Sequence, residues 1–257
     1  MKEKTEPSVL YHYTSLEALF SIISKVEVKN TGEAPDEGER LIKLWATHCD
    51  FLNDRTEGTL LPNVLKKIKK FKNSDIYALA CMYGYPLIVS FSELGDDLNM
   101  WRSYANDGIG VAIGFKFKKL NEIKEVDCDR RLLCKCEYTT GNSLWKLYKN
   151  REFPDDRKNL IPLVKELNNM MKYKDSNFAS GKEWRFVAHD IPDKFRMSKN
   201  LIIPYKEINI PMDAIDSITL GPKCDLERNR FSIERLIPQG CDIDHKIKIS
   251  KSEVPYV

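Results

Sequence analysis

Four short stretches carry residue types that could do chemistry. The first is Leu10-Tyr11-His12-Tyr13-Thr14-Ser15-Leu16-Glu17, where a strand-like run of β-branched and aromatic residues gives way to a helix start. Thr14 with Glu17 three residues on has the form of a capping box. His12 and Tyr13 would then stand at the end of a strand beside a helix N-terminus, whose orphan amides and dipole favour an anionic ligand such as a phosphate. The plainer account is a histidine filling a slot in a strand. The second stretch is the turn Asn53-Asp54-Arg55-Thr56-Glu57-Gly58, dense in charge after a strand. In the third, Trp101 and Tyr104 offer two rings on which a base could stack. The fourth, Glu183-Trp184-Arg185-Phe186-Val187-Ala188, alternates charged and apolar residues, so Glu183 and Arg185 share one strand face and Trp184, Phe186 and Ala188 the other.

Positioning these stretches requires a framework of strands and helices. Periodicity predicts strands at Val9–Tyr13, Leu41–Thr47, Ile76–Met82, Pro86–Ser92, Gly108–Phe115, Arg131–Thr139, Glu183–Ala188, Leu201–Ile203, Lys206–Ile210 and Ile243–Ile249, and a turn into a buried strand over Pro211–Pro222. Helices are expected after Ser15, over Leu60–Phe71, in a short capped form over Gly95–Ala105, over Asp155–Tyr173, and from Asp225 to Leu236 and Ile237. Glu27–Gly38 and Thr140–Asn142 read as loops. The run Gly108-Ile109-Gly110 precedes its strand instead of following one, which argues against a dinucleotide-binding phosphate loop. Strands scattered among helices, without regular alternation, repeats or a clear linker, predict one α+β domain over residues 1–257.

Composition narrows the classes further. The chain has 257 residues, 42% hydrophobic and 31% charged, with 41 Lys plus Arg against 38 Asp plus Glu. These values fit a soluble globular protein and exclude a disordered one; a net charge of +3 does not announce a nucleic-acid or membrane partner. Met1–Ser8 lacks an apolar signal-peptide core, and Ile76–Phe91 is too short and too interrupted to span a bilayer. Seven cysteines in a chain of this size point to reduced thiols, as in a cytoplasm. Cys128, Cys134 and Cys136 lack the second pair that a zinc site needs, and an alternating strand explains them better, so no metal is expected.

The segments LYHYTSLEALFSII, LWATHCDFLNDRTEG, SFSE, DDLNMWRSYANDGIGVAIGF and GKEWRF resemble a widespread bacterial family known as domain of unknown function 2971, over about Leu10 to Pro222. More distantly, His12-Tyr13-Thr14 on a first strand, Trp45-Ala46-Thr47 on a second and Glu183 opening a late strand are similar to ADP-ribosyltransferases, especially the DNA-targeting bacterial toxins. That resemblance implies a split β-sheet core with surrounding helices, NAD as substrate, and a nucleic-acid or protein acceptor. It implies a toxin or phage-defence effector with no membrane partner. By position, His12 would orient NAD and Glu183 would hold the nicotinamide ribose as the catalytic pair. Tyr13, Trp101 and Tyr104 would form an aromatic wall. Arg55, Arg102 and Arg185 are candidates for the pyrophosphate, since a guanidinium fork matches phosphate oxygens. Thr14, Asn53 and Ser92 complete the expected cofactor-binding set. With Gly181 two positions before Glu183, the arginine-specific transferase pattern is absent. The alternative is a module that senses a nucleotide or nucleic-acid end without turnover.

Overall fold

The computed structural model describes residues 6–29, 39–52, 60–67, 84–125, 131–150, 171–198, 200–237 and 247–256. The chain is a mixed α and β protein with open sheets, and its contacts gather into two compact units. The first unit comprises residues 1–44, 91–126 and 208–257, and the second comprises 45–90 and 127–207. Among the described residues, no helix is long and apolar enough to cross a membrane.

In the first unit, β1 (Val9–Thr14) runs antiparallel to β5 (Val111–Lys116), with His12 opposite Ile113, and meets the end of β4 (Tyr85–Ser92) where Tyr11 faces Ser92. On its other side β5 pairs with β12 (Ile215–Leu220), which continues into a parallel pairing with β13 (Lys248–Lys251). The central strand VAIGFK is buried almost throughout, because both its neighbours and both its faces are covered. Helix α1 (Leu16–Ile23) buries Leu19, Ile22 and Ile23. Its N-cap is Ser15, whose side chain accepts from the Ala18 amide, so the cap lies one residue later than the expected Thr14. Strand β2 (Glu27–Lys29) pairs with the start of β3 (Glu39–His48), where a loop was expected. A neighbouring extended strand satisfies its backbone, which local propensity cannot foresee.

In the second unit, Thr47 and His48 of β3 pair with Ile88 and Leu87 of β4. Helix α2 (Leu60–Lys67) is the described part of the expected Leu60–Phe71 helix. Strand β9 (Glu183–Asp190) runs antiparallel to β6 (Arg131–Lys135), with Cys134 opposite Arg185, and also pairs with β4. The expected strand Arg131–Thr139 breaks at Cys136, and its remainder, β7 (Glu137–Thr139), pairs in parallel with β8 (Tyr173–Asp175) in a separate small sheet. The expected helix end at Tyr173 is therefore strand. The hairpin of β10 (Lys194–Ser198) and β11 (Leu201–Pro211) joins the two strand pieces expected after Leu201 into one.

Four further α-helices lie among the described residues: α3 (Leu98–Tyr104), α4 (Phe117–Glu125), α5 (Gly141–Tyr148) and α6 (Leu226–Leu236). Helix α4 forms where no element was expected, burying Phe117, Leu120 and Ile123 at three-residue spacing beneath a lysine-rich exterior. Helix α5 starts from the expected loop, because Thr140 caps it through the Ser143 amide. The expected strand Ile76–Met82, residues 155–170 of the expected helix, and Cys128 lie outside the described residues.

Gly110 shows how tightly the first unit is closed. A methyl group there would meet the Thr14 carbonyl oxygen at 2.2 Å and the Ala105 carbonyl oxygen at 2.8 Å. Its amide donates to Ala105 at 2.8 Å, and its carbonyl accepts from Gly221 at 2.8 Å. These glycines therefore close the junction between α3, β1 and β12 and do not cradle a phosphate. Gly110→Ala should lower stability by about 1–3 kcal/mol, since backbone atoms must give way. Urea unfolding of the full chain checks this, and an unchanged midpoint would count against the close approach.

Candidate functional site

The most concentrated polar chemistry in the described residues lies in the second unit, around the first residue of β9. Residues two apart in a strand point to the same face, so Glu183 and Arg185 stand side by side. The Arg185 Nε donates to Glu183 Oε1 at 2.7 Å and its Nη1 to the Met171 carbonyl at 2.9 Å. Lys174, from β8, donates to Glu183 Oε2 at 2.5 Å, and the Ser90 hydroxyl, from β4, donates to Oε1 at 3.1 Å. The Glu183 amide donates to the Tyr138 hydroxyl at 2.6 Å, and its carbonyl accepts from the Cys136 amide at 2.9 Å. Three strands thus put donors on one carboxylate, and a fourth segment holds its backbone.

This cluster is inside the protein. Glu183 is 8% exposed, Lys174 4% and Arg185 0%. Both faces of the strand are therefore covered: Glu183 and Arg185 are buried on one and Phe186 and Ala188 on the other, while Trp184 at the strand's start is only partly buried. The reason is pairing: a guanidinium and an ammonium on the same carboxylate make charge burial tolerable, where apolar patterning alone would send it to solvent. Burial by itself raises the Glu183 carboxyl, but the Arg185 and Lys174 charges and their hydrogen bonds outweigh it and hold the group below the usual carboxylate range. Burial pushes the Cys134 thiol up to about 11 and also raises Cys136, so both remain protonated thiols at neutral pH. Burial likewise takes the Tyr138 hydroxyl to about 12.

The other expected site residues belong to the first unit. His12 is half-buried, with its ring 5.9 Å from that of Phe91. Tyr13, on the opposite face of β1, packs edge-on against Trp101 at 4.9 Å and donates to the Leu94 carbonyl at 3.0 Å. Trp101 is 0% exposed and donates through Nε1 to Asp96 at 2.6 Å. Tyr13 and Trp101 thus form core, together with Ala105 and Ala112. Tyr104 is 39% exposed, and Arg102 lies 5.9 Å from the ring of Tyr256. Thr14 pairs with Val111, and Ser92 is fully buried and accepts from the Leu94 amide at 3.0 Å. Asn53 and Arg55 lie outside the described residues.

Three partners of Glu183 were missed in the sequence. Ser90 had a signal, since a hydroxyl inside the apolar run Tyr85–Ser92 asks for a polar partner. Lys174 had none, being one lysine among several in Lys172-Tyr173-Lys174. Tyr138 acts through its hydroxyl on a backbone amide, which residue type does not announce.

The fold and this cluster define a mixed α and β protein with a buried, ionised carboxylate on a strand. Residues 100–186, which hold Trp101, Lys174, Glu183 and Arg185, match the family described as Protein of unknown function (DUF2971), which supports the family expected from the sequence. No curated protein and no solved structure matches the chain.

The lowered Glu183 value sets a pH dependence. A carboxylate depressed in the folded state contributes stability that is complete above its unfolded value of about 4.3 and is lost as pH falls through the folded value. Glu183→Gln leaves two buried cations facing a neutral group and should cost about 3–5 kcal/mol near pH 7. The gap between the two proteins should narrow as pH drops below the ordinary carboxylate range. Urea titrations at a series of pH values measure it, and a gap independent of pH would refute the ionised pair.

Proposed function

We propose that this protein is an NAD-dependent ADP-ribosyltransferase with Glu183 as its charge-stabilising residue. The observation that carries the reading is a carboxylate held ionised and immobile by Arg185, Lys174 and Ser90. In the reaction, the bond between the ribose carbon and the nicotinamide nitrogen breaks. The bonding electron pair leaves with neutral nicotinamide, and the sugar becomes an oxocarbenium-like cation. An acceptor nucleophile on a nucleic acid or protein then bonds to that carbon and gives its proton to solvent. A fixed carboxylate near the ring lowers the energy of the cation because it needs no reorganisation as charge develops. The split-sheet core and NAD as substrate come from the resemblance of His12-Tyr13-Thr14, Trp45-Ala46-Thr47 and Glu183 to that superfamily.

A second reading is favoured by the two cations on Glu183. They offset much of the charge that the carboxylate could offer a sugar cation, as suits a module that binds a nucleotide without turnover. One pair of measurements separates the readings: release of free nicotinamide with candidate acceptors, and calorimetry with NAD and with ADP-ribose. For the transferase, Glu183→Gln should reduce nicotinamide release by at least about 100-fold when circular dichroism shows the variant folded. Equal release by both proteins would overturn the assignment of Glu183. Binding by the wild type without any nicotinamide release would select the sensor.

A further inference from the structure

Among the described residues, a second cluster of ligating side chains stands at the end of β3. His48, Cys49 and Asp50 bring a nitrogen, a sulfur and a carboxylate oxygen within 4.8 Å of one another. The three are consecutive, and what gathers them is the local backbone. After His48 the chain turns into a 3-10 segment, Cys49–Phe51, and the His48 Nδ1 accepts from the Asp50 amide at 3.2 Å. Both soft donors are buried, His48 and Cys49 each at 8% exposure. The Asp50 side chain is 67% exposed, so the cluster has one face toward solvent.

A small four-coordinate ion would draw these donors closer together. With bonds of about 2.3 Å to sulfur and about 2.0–2.2 Å to nitrogen and oxygen, tetrahedral edges come to about 3.4–3.6 Å. Here Cys49 Sγ lies 3.7 Å from Asp50 Oδ1, and His48 Nδ1 lies 3.9 Å from Asp50 Oδ2. The three donors lie within 4.8 Å of one another, so seating the ion draws them together by up to about 1.3 Å. The His48 ring is already oriented by contacts with Phe51 at 5.7 Å and Tyr85 at 4.9 Å. Imidazole, thiolate and carboxylate together select a borderline-soft divalent ion over magnesium or calcium, which prefer all-oxygen shells.

We propose that His48 Nδ1, Cys49 Sγ and Asp50 bind a divalent transition ion of the zinc class, with the fourth position open toward solvent. Binding exchanges the long amide contact on Nδ1 for a metal bond. The Cys49 thiol loses its proton to solvent as the sulfur–metal bond forms, with no change of oxidation state. The ion would pin the end of β3 to the turn that follows it. Its presence does not depend on what Glu183 does.

Cobalt(II), a zinc surrogate with visible and near-ultraviolet bands, tests this on the full chain with all thiols reduced. The wild type should develop a thiolate-to-cobalt charge-transfer band that saturates at one equivalent, and zinc should bleach it. Cys49→Ser should abolish the band. Asp50→Asn alters an exposed side chain, leaves the turn foldable, and should weaken cobalt at least about tenfold. No band in the wild type, a band that survives Cys49→Ser, or unchanged affinity in Asp50→Asn would each overturn the site.

Discussion

The burial of the Glu183 carboxylate between Arg185 and Lys174 is the constraint around which the second unit is arranged. Removing an ion from water costs several kcal/mol even after the surroundings relax, so each member of the cluster is tolerated only while the others are in place. Arg185 comes from the same strand two residues on, which strand geometry provides without further cost. Lys174 and Ser90 come from β8 and β4, and they reach the carboxylate only when those strands are formed. The backbone of Glu183 is tied in the same manner, by the Tyr138 hydroxyl on its amide and the Cys136 amide on its carbonyl. A cluster of this kind rejects partly assembled alternatives, because any of them strands a charge in the interior.

The first unit solves its packing differently. Its core is apolar, with Trp101 and Tyr13 edge to face, and its polar hub is a surface carboxylate. Asp96 accepts from the Trp101 indole at 2.6 Å, from the Ser252 hydroxyl at 2.5 Å and from the Glu253 amide at 2.8 Å. One aspartate thereby fixes both a core ring and the segment after β13. Close backbone approach does the remaining work: an added methyl at Gly221 would meet the Gly108 carbonyl oxygen at 2.3 Å.

Much of this framework could be read from the amino-acid order. The strands bearing His12 and Glu183 follow from β-branched and aromatic runs, and α6 follows from Asp225, whose side chain accepts from the Arg228 amide. What escaped reading depends on partners distant in the chain. Strand β2 exists because β3 pairs with it, and β8 exists because β7 does. The burial of Glu183 and Arg185 could not be inferred from alternation, since two charged residues on one strand face ask for solvent until Lys174 is known to be present. Likewise Trp101 looked available for stacking because its neighbours are polar. Its burial follows from Tyr13 and Asp96, neither of which lies within its own helix.

Charge pairing and the role proposed for Glu183 are compatible demands. A carboxylate free in water is fully ionised at neutral pH, but its solvent must reorganise as a cation forms beside it. One fixed by three side-chain donors has already lost that freedom during folding, so its field is in place before any bond breaks. The cations that fix it also weaken its attraction for a further positive charge, by an amount that depends on distance and local dielectric. Serine alone would orient the carboxylate without that offset, whereas arginine and lysine alone would neutralise it. Their combination on opposite oxygens, with Ser90 and Arg185 on Oε1 and Lys174 on Oε2, leaves the two oxygens electrostatically unequal. The oxygen shared by a neutral and a charged donor and the oxygen held by the ammonium therefore present different fields to anything that approaches, and this asymmetry is what a transferase and a binding module would use differently.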